Sequence, residues 1–370
     1  MPNKKIAVVT WIGSGNFGTT LQSYSLLHFL NKQGYNAFFL QAFKQPFGIK
    51  ERIFDILYKL RINRLLDNIK PLPLNIKKLH RFINKNYSII RVFSDRQYNR
   101  LLDDTDVFCT GSDQIWNTKF AFNPFYFLGF GEDIKRIAYA SSMGIKDFPE
   151  EHKEKVKSLL SRFNHIGVRE ETAKEAISTL LDSKEVYQVL DPTFLLDQND
   201  WQGVSNQAIF EVELPKKYIA CYLIGNNRSY ADQIQKVKAS TGIDSVVIIP
   251  SKENSDMSIP GAMIYSDAGP SEFINLLQNA SFVCTDSFHA TALSINMRKD
   301  FVEFLRFADS DKASQNSRIY DVLSHYGLMN RIFSNSEYSW SLPIEYDSVH
   351  EILNEDRKKS IDYLINAIEN

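Results

Sequence analysis

Residues Val8–Leu30 read VVTWIGSGNFGTTLQSYSLLHFL, an apolar run followed by clustered glycines and then by a mixed stretch at helical spacing. The run from Ile6 to Ile12 reads as a buried strand and the residues from Asn16 onward as a helix, which is the opening strand, loop and helix of an α/β sheet. Gly13, Gly15 and Gly18 also spell G-x-G-x-x-G in that loop, the pattern with which such a step can hold the pyrophosphate of a dinucleotide. That use requires an acidic side chain at the end of the second strand to hold the ribose hydroxyls. The second strand, AFFLQAF at 37–43, ends around Gln41, and no Asp or Glu follows until Glu51. The dinucleotide reading fails there, although the loop amides and the helix start keep an edge suited to an anion or a sugar.

Outward from this stretch, short apolar runs alternate with amphipathic ones for most of the 370 residues, the pattern of parallel sheets with helices on their faces. One series of candidate strands lies at 6–11, 37–40, 106–110, 136–140, 165–168 and 186–190. A second lies at 218–223, 245–249, 282–285 and 301–305. The turn-rich stretch LDPTFLLDQNDWQGVSNQ, at 190–207, separates them. The expected architecture is α/β, with two Rossmann-like, doubly wound domains facing one another across a cleft. The first would span 1–195 on the acceptor side and carry a basic helical insertion at 44–100; the second would span 196–335 on the donor phosphate side. A helical tail, 336–370, would pack back on the first domain.

Composition narrows the function classes. A formal net charge of −1 argues against nucleic acid as a partner, because a polyanion-binding protein carries a strong positive excess. Cys109, Cys221 and Cys284 are odd in number and widely spaced, and read as reduced core residues, not as a disulfide framework or a zinc site. The apolar run at the N-terminus is short for a signal peptide and no segment is long enough to span a bilayer, so the expected compartment is the cytoplasm. One local departure stands out: residues 44–100 hold 14 Lys and Arg against 4 Asp and Glu. Within it, Ile49, Ile53, Ile56, Leu57 and Leu60 share one face of a basic amphipathic helix. The plainer reading is a surface helix covering the sheet; the other is peripheral contact with an anionic membrane, at its inner face.

Several strand-end motifs carry groups that can do chemistry. TGSDQIWN (110–117) follows the strand DVFC, where Asp113 could take a proton from a hydroxyl and Trp116 could stack on a sugar or, alternatively, sit in the core. YASSMG (139–144) is another strand-end loop. In HIGVREET, Arg169 follows a strand, where a guanidinium can clamp a carboxylate or phosphate, or be a surface charge. In FVCTDSFHATALSI, a strand enters a helix with Asp286 or Ser287 near its start and His289 in its first turn, placing amides for a phosphate beside a proton-transfer group. Arg298 and Arg318 follow in the same half.

Together and in this order, GNFGTTLQSYSL, GSDQIWN, YASSMG, GVREE, LDPTFLL, TDSFHATALSI and SRIYDVLSHYGL resemble the successive motifs of the polysaccharide pyruvyl transferase family, from about Asn16 to Gly327. The glycine loop resembles that family's N-terminal loop at Asn16, Gly18, Leu21 and Gln22. The resemblance implies a two-domain fold similar to the GT-B glycosyltransferases, with phosphoenolpyruvate as donor substrate, a sugar as acceptor, lipid-linked in some settings, and no cofactor. It carries the family's arginine onto Arg169 and its histidine onto His289, and matches Asp113, Asp191 and Arg318 to motifs whose roles are open. Where members often have Lys-Pro after the DSFHA helix, this chain has Arg298-Lys299-Asp300, which leaves the role of Arg298 open.

Phosphoenolpyruvate carries a carboxylate and a phosphate, so its pocket needs cationic or amide anchors, for which Arg169, Arg318, His289 and the helix start at Ser287 are the candidates. His289 is the candidate general acid/base, and Asp113 the carboxylate that would deprotonate the acceptor. Asn16, Gly18, Gln22 and Trp116 are the acceptor-binding candidates. The scheme requires no metal, and no metal-ligand spacing is visible. Two other readings share the motifs: a GT-B glycosyltransferase using a nucleotide sugar, and a non-catalytic glycan-binding protein of the same fold.

Overall fold

The computed structural model describes residues 3–13, 15–41, 47–60, 72–119, 122–182, 184–251, 254, 258–307 and 316–370, without the side chains of residues 54 and 58. The chain divides into two compact units. The first comprises Met1–Ile12, Ser23–Pro192 and Ser360–Asn370; the second comprises Gly13–Gln22 and Thr193–Lys359.

Among the described residues, the first unit has seven parallel strands: β1 (Lys5–Val9), β2 (Asn36–Leu40), β3 (Ile89–Ile90), β4 (Val107–Thr110), β5 (Arg136–Ser141), β6 (His165–Val168) and β7 (Val186–Gln188). Their spatial order is β3-β2-β1-β4-β5-β6-β7. In register, Ile6 lies beside Ala37 on one side and Val107 on the other. The second unit has five parallel strands, β8 (Ile219–Tyr222), β9 (Val246–Ile248), β10 (Met263–Ile264), β11 (Phe282–Thr285) and β12 (Phe301–Glu303), in the order β10-β9-β8-β11-β12. β4, β5, β8, β9, β11 and β12 are buried at every position, as strands covered on both faces must be, and this explains why they read as largely apolar runs. The two-residue edge strands β3 and β10 are too short to show a period, and the sequence does not announce them.

Each sheet reverses its winding once, between β1 and β4 in the first unit and between β8 and β11 in the second. Loops leaving the carboxyl ends of strands at such a reversal splay apart, and the gap between them is where open α/β sheets take their ligands. The cores sit beside these points. In the first unit, Phe108, Trp116, Phe127 and Phe163 pack under β4 and β5; in the second, Ile219, Cys221, Cys284 and Trp340 pack around β8 and β11.

The unit boundaries differ from those expected at 195 and 335. Gly13–Gln22 groups with the second unit because Phe17, the first residue of helix Phe17–Lys32, stacks on Phe273 at 4.5 Å and meets Tyr222 edge-on at 5.7 Å. Of the expected tail 336–370, only the last eleven residues join the first unit, where Tyr363 donates to the Ala138 carbonyl at 3.0 Å and Lys4 pairs with Glu369 at 2.8 Å. The basic insertion forms helices Ile49–Lys59, Leu74–Asn86 and Asp95–Asp103, while residues 44–46 and 61–71 of that stretch lie outside the described residues.

Candidate active site

Each unit holds a polar cluster at the carboxyl ends of its strands. In the first unit, chain leaving β4, β5, β6 and β7 brings Ser112, Asp113, Ser142, Arg169, Glu170 and Asp191 into one buried network. The Arg169 guanidinium donates from Nε to Glu170 Oε1 at 2.9 Å, from Nη1 to Asp191 Oδ2 at 2.9 Å and from Nη2 to Ser142 Oγ at 3.1 Å. Ser142 Oγ donates to Glu170 Oε1 at 2.6 Å, and Ser112 Oγ to Asp191 Oδ2 at 3.3 Å. Asp113 is 6% exposed with φ +66°; its Oδ1 accepts from the Gln114 amide at 2.9 Å and its carbonyl from the Ser142 amide at 3.0 Å. Burial alone would weaken the hold of Arg169 on its proton, but the carboxylates of Glu170, Asp191 and Asp113 more than offset it, so its pKa rises above the ordinary arginine value.

Two of the expected site residues are buried. Arg169, expected as a clamp for the donor, is 6% exposed and directs all three nitrogens at oxygens of its own unit, the arrangement of an organising cation among carboxyl groups. Trp116, expected to stack on the acceptor, is fully buried: it lies parallel to Phe127 at 5.4 Å, meets Phe163 edge-on at 5.9 Å and donates Nε1–H to the Tyr126 carbonyl at 2.9 Å. The ring thus occupies the core position that was its alternative reading.

In the second unit, the glycine loop and the DSFHA motif meet. Gly13 and Gly15 adopt φ of +63° and +81°, which only glycine reaches cheaply and which turns the chain into helix Phe17–Lys32. Asn16 starts that helix, its Oδ1 accepting from the Thr19 amide at 3.3 Å. Gly18 has a different reason: a Cβ there would lie 2.3 Å from Nδ1 and 2.6 Å from Cγ of His289. All three glycines of G-x-G-x-x-G are thus explained with no dinucleotide, two by turn geometry and the third by an imidazole. Gln22 is buried and donates to the Thr19 carbonyl at 3.0 Å, so of the four acceptor candidates it too lies inside the protein.

His289 is half-buried in the first turn of helix Phe288–Asn296, edge-on to Phe288 at 5.4 Å. Ser287 starts the helix; its side chain makes no capping bond, and its amide donates to Thr285 Oγ1 at 3.1 Å. Asp286 points the other way and ties β11 to the loop after β8, accepting from the amides of Ile224 at 2.6 Å and Gly225 at 2.7 Å and from the Tyr230 hydroxyl at 2.7 Å. Beside it is a small, partly open cavity lined by Asp286, Phe288, Glu303, Arg306, Phe307, Asn316, Arg318 and Ile319. Arg318 lies over the Phe288 ring at 5.9 Å, and Arg306 donates to the Asp286 carbonyl at 2.9 Å. Glu303, at the end of β12, is 1% exposed and accepts from Thr291 Oγ1 at 2.5 Å. Burial pushes its carboxyl well above the usual range, opposed by that hydrogen bond and reinforced by Asp286.

Sequence reasoning passed over Arg306 and Glu303, although both carried a signal: FVEFLR has an acid inside an apolar strand and a cation directly after it. Arg298, whose role was open, is a surface residue paired with Asp347 at 2.9 Å.

Residues 16–305 match the family model of the polysaccharide pyruvyl transferases. The chain belongs to the polysaccharide pyruvyl transferase family. Membership supports an enzyme of pyruvyl transfer to polysaccharide. No curated protein matches the chain. Among solved structures, it is similar to UDP-GlcNAc 2-epimerase from Neisseria meningitidis bound to UDP-GlcNAc, at 12% identity over 98% of this chain and 100% of that one, with a TM-score of 0.49. It is also similar to MurG of Acinetobacter baumannii, at 11% identity over 99% of both chains and a TM-score of 0.40. The E. coli heptosyltransferase WaaC aligns at 10% identity over 96% of this chain and 99% of its own, with a TM-score of 0.40. At those scores the likenesses carry no functional weight. Among the described residues of this pyruvyl transferase family member, no helix is long and apolar enough to cross a membrane.

Proposed function

We propose that this chain transfers the pyruvyl group of phosphoenolpyruvate to two hydroxyls of one sugar, in a polysaccharide or its lipid-linked precursor, forming a ketal and releasing phosphate. The observation that carries the reading is the small cavity beside the DSFHA helix, which two arginines line. The donor has a carboxylate and a phosphate on a three-carbon frame; two guanidinium groups match two such anions, and Phe288, Phe307 and Ile319 suit the methylene end.

In the proposed reaction, His289 gives a proton to the methylene carbon, and the neighbouring carbon, now electron-poor, is attacked by the first sugar hydroxyl. Phosphate leaves with its bridging oxygen, and the second hydroxyl attacks the same carbon to close the ring. The two hydroxyl protons return one to the imidazole and one to the departing phosphate, so the histidine ends as it began. Imidazole suits this duty because its ordinary pKa lies near neutrality. Asp113 is proposed to assist loss of the hydroxyl proton, with Arg169 fixing the carboxyl groups around it. Arg306 and Arg318 are proposed as donor anchors and Asn16 as an acceptor contact, and Gly18 makes room for the histidine.

Incubation with phosphoenolpyruvate and candidate glycans, followed by mass spectrometry, is expected to show the increment of a ketal-linked pyruvyl group together with equimolar phosphate. Thermal stabilisation by phosphoenolpyruvate is expected in parallel, since a ligand that binds only the folded state raises Tm. Stabilisation by a nucleotide sugar alone, with no pyruvylated product, would transfer the chain to the glycosyltransferase reading.

A further inference from the structure

The helix Ile49–Lys59 carries an apolar stripe that is exposed among the described residues. Ile49 is 78% exposed, Ile53 50%, Ile56 56% and Leu60 61%. At 3.6 residues per turn these four fall within about 60° of one another, forming a single strip about 16 Å long. Single exposed apolar residues are ordinary, but a continuous strip with a polar border marks a surface that is covered in use. The sheet-covering role expected for this helix would have buried that face.

The border says what covers it. Lys50 flanks one side of the strip and Arg52 and Lys59 the other, whereas Glu51 and Asp55 fall on the opposite side of the helix. Asp55 is itself tied to Lys59 at 2.7 Å and is largely shielded, while Lys59 stays 64% exposed. The next helix of the insertion, Leu74–Asn86, contains Lys77, Lys78, Arg81 and Lys85 and no acidic residue, and Lys77, Arg81 and Lys85 are exposed. A protein partner's site would favour aromatic residues with few lysines at its edge. An apolar strip edged by long cationic side chains, with the acids on the far side, is the pattern of a helix that lies in the plane of an anionic bilayer, its cations reaching up to the headgroups.

The geometry points to helix Ile49–Lys59, with Leu60, as an interfacial docking element that holds the first unit on an anionic phospholipid surface. This does not rest on the donor chemistry proposed above. It would keep the enzyme at the surface on which a lipid-linked acceptor is presented, without any spanning segment.

The test is sedimentation of the full chain with phosphatidylcholine vesicles that contain or lack phosphatidylglycerol. Binding is expected only with phosphatidylglycerol, and it should fall as salt rises. The double substitution Ile53→Asp and Ile56→Asp is expected to weaken binding by about tenfold or more at every salt concentration, since it removes buried apolar area. Arg52→Glu with Lys59→Glu should weaken it chiefly at low salt. Both variants should keep the parent's Tm and its activity on a water-soluble acceptor, which separates loss of docking from loss of fold or chemistry. As an independent measurement, Ile53→Trp should give an emission blue-shift on adding the anionic vesicles. Equal sedimentation of parent and double-aspartate variant would overturn the proposal, as would the lack of binding at low salt. So would a parent dimer that the aspartates turn into a monomer, because the strip would then be a contact between copies.

Discussion

The polar clusters at the strand ends of the two sheets differ in electrical character. In the first unit, three carboxyl groups surround one guanidinium that already donates to two of them. In the second, two arginines line an open cavity, and one of its two carboxyl groups, Glu303, is driven toward its neutral form. A cation shut inside its own ion pairs holds structure, whereas cations bordering a hollow can meet a ligand.

This contrast can be broken by substitutions that should act on rate in one unit and on stability in the other. The largest expected effect is that of His289→Ala, about 10²–10⁴-fold in kcat for phosphate release, with the folded state retained, as the loss of a general acid implies. Unchanged turnover would remove the proton-transfer role. Next is Arg169→Met, which leaves Glu170 and Asp191 buried without their cation and should cost about 3–5 kcal/mol in denaturant unfolding. A variant as stable as its parent would end the organising role and return Arg169 to the donor.

A smaller effect is expected from Gly18→Ala. The added methyl would stand 2.3 Å from His289 Nδ1, so the ring must move, and a displacement near 1 Å is worth about a hundredfold in kcat. The donor KM should change little, because the arginines are untouched. Unaltered kcat would show that the ring position is not critical.

The smallest effect concerns pH. Folding raises the Glu303 pKa above 4.5, so the folded chain keeps a proton that the unfolded chain gives up. That contribution to stability is complete below the unfolded value and fades as pH climbs from about 4.5 toward the folded value. Glu303→Gln keeps a neutral side chain at every pH, and its Tm should gain on the parent by about 2–4 °C for each kcal/mol so recovered in mildly alkaline buffer. Parallel Tm curves for the two proteins would mean that Glu303 is already ionised.

Much of this was legible in the sequence because parallel strands buried on both faces are mostly apolar. The runs at 106–110, 136–140 and 282–285 could hardly be anything else, and the switch-point motifs GSDQIWN and TDSFHA follow such runs directly. Inward or outward orientation was not legible. A Trp after a strand can stack on a ligand or fill a core, and only the neighbouring Phe127 and Phe163, one of them 47 residues away in the chain, decide for the core. Arg169 and Arg306 look alike in sequence, each a cation just past a strand. What distinguishes them is exposure: Arg169 is shut among Glu170 and Asp191, whereas Arg306, paired with Asp286 at 3.5 Å, keeps 23% of its side chain exposed beside a cavity. Gly18 and His289 are separated by most of the chain, so the reason for the third glycine was invisible until the fold brought them together.

The assignment of Gly13–Gln22 to the second unit has a practical corollary. Cutting the gene at the obvious linker after Pro192 would not yield two self-sufficient fragments: the downstream piece would lack the ten-residue strap that abuts its histidine, and the upstream piece would lose its C-terminal clasp, Ser360–Asn370. Spatial modules and contiguous modules are different things in this polypeptide, so split-protein reconstitution would need both pieces present from the start.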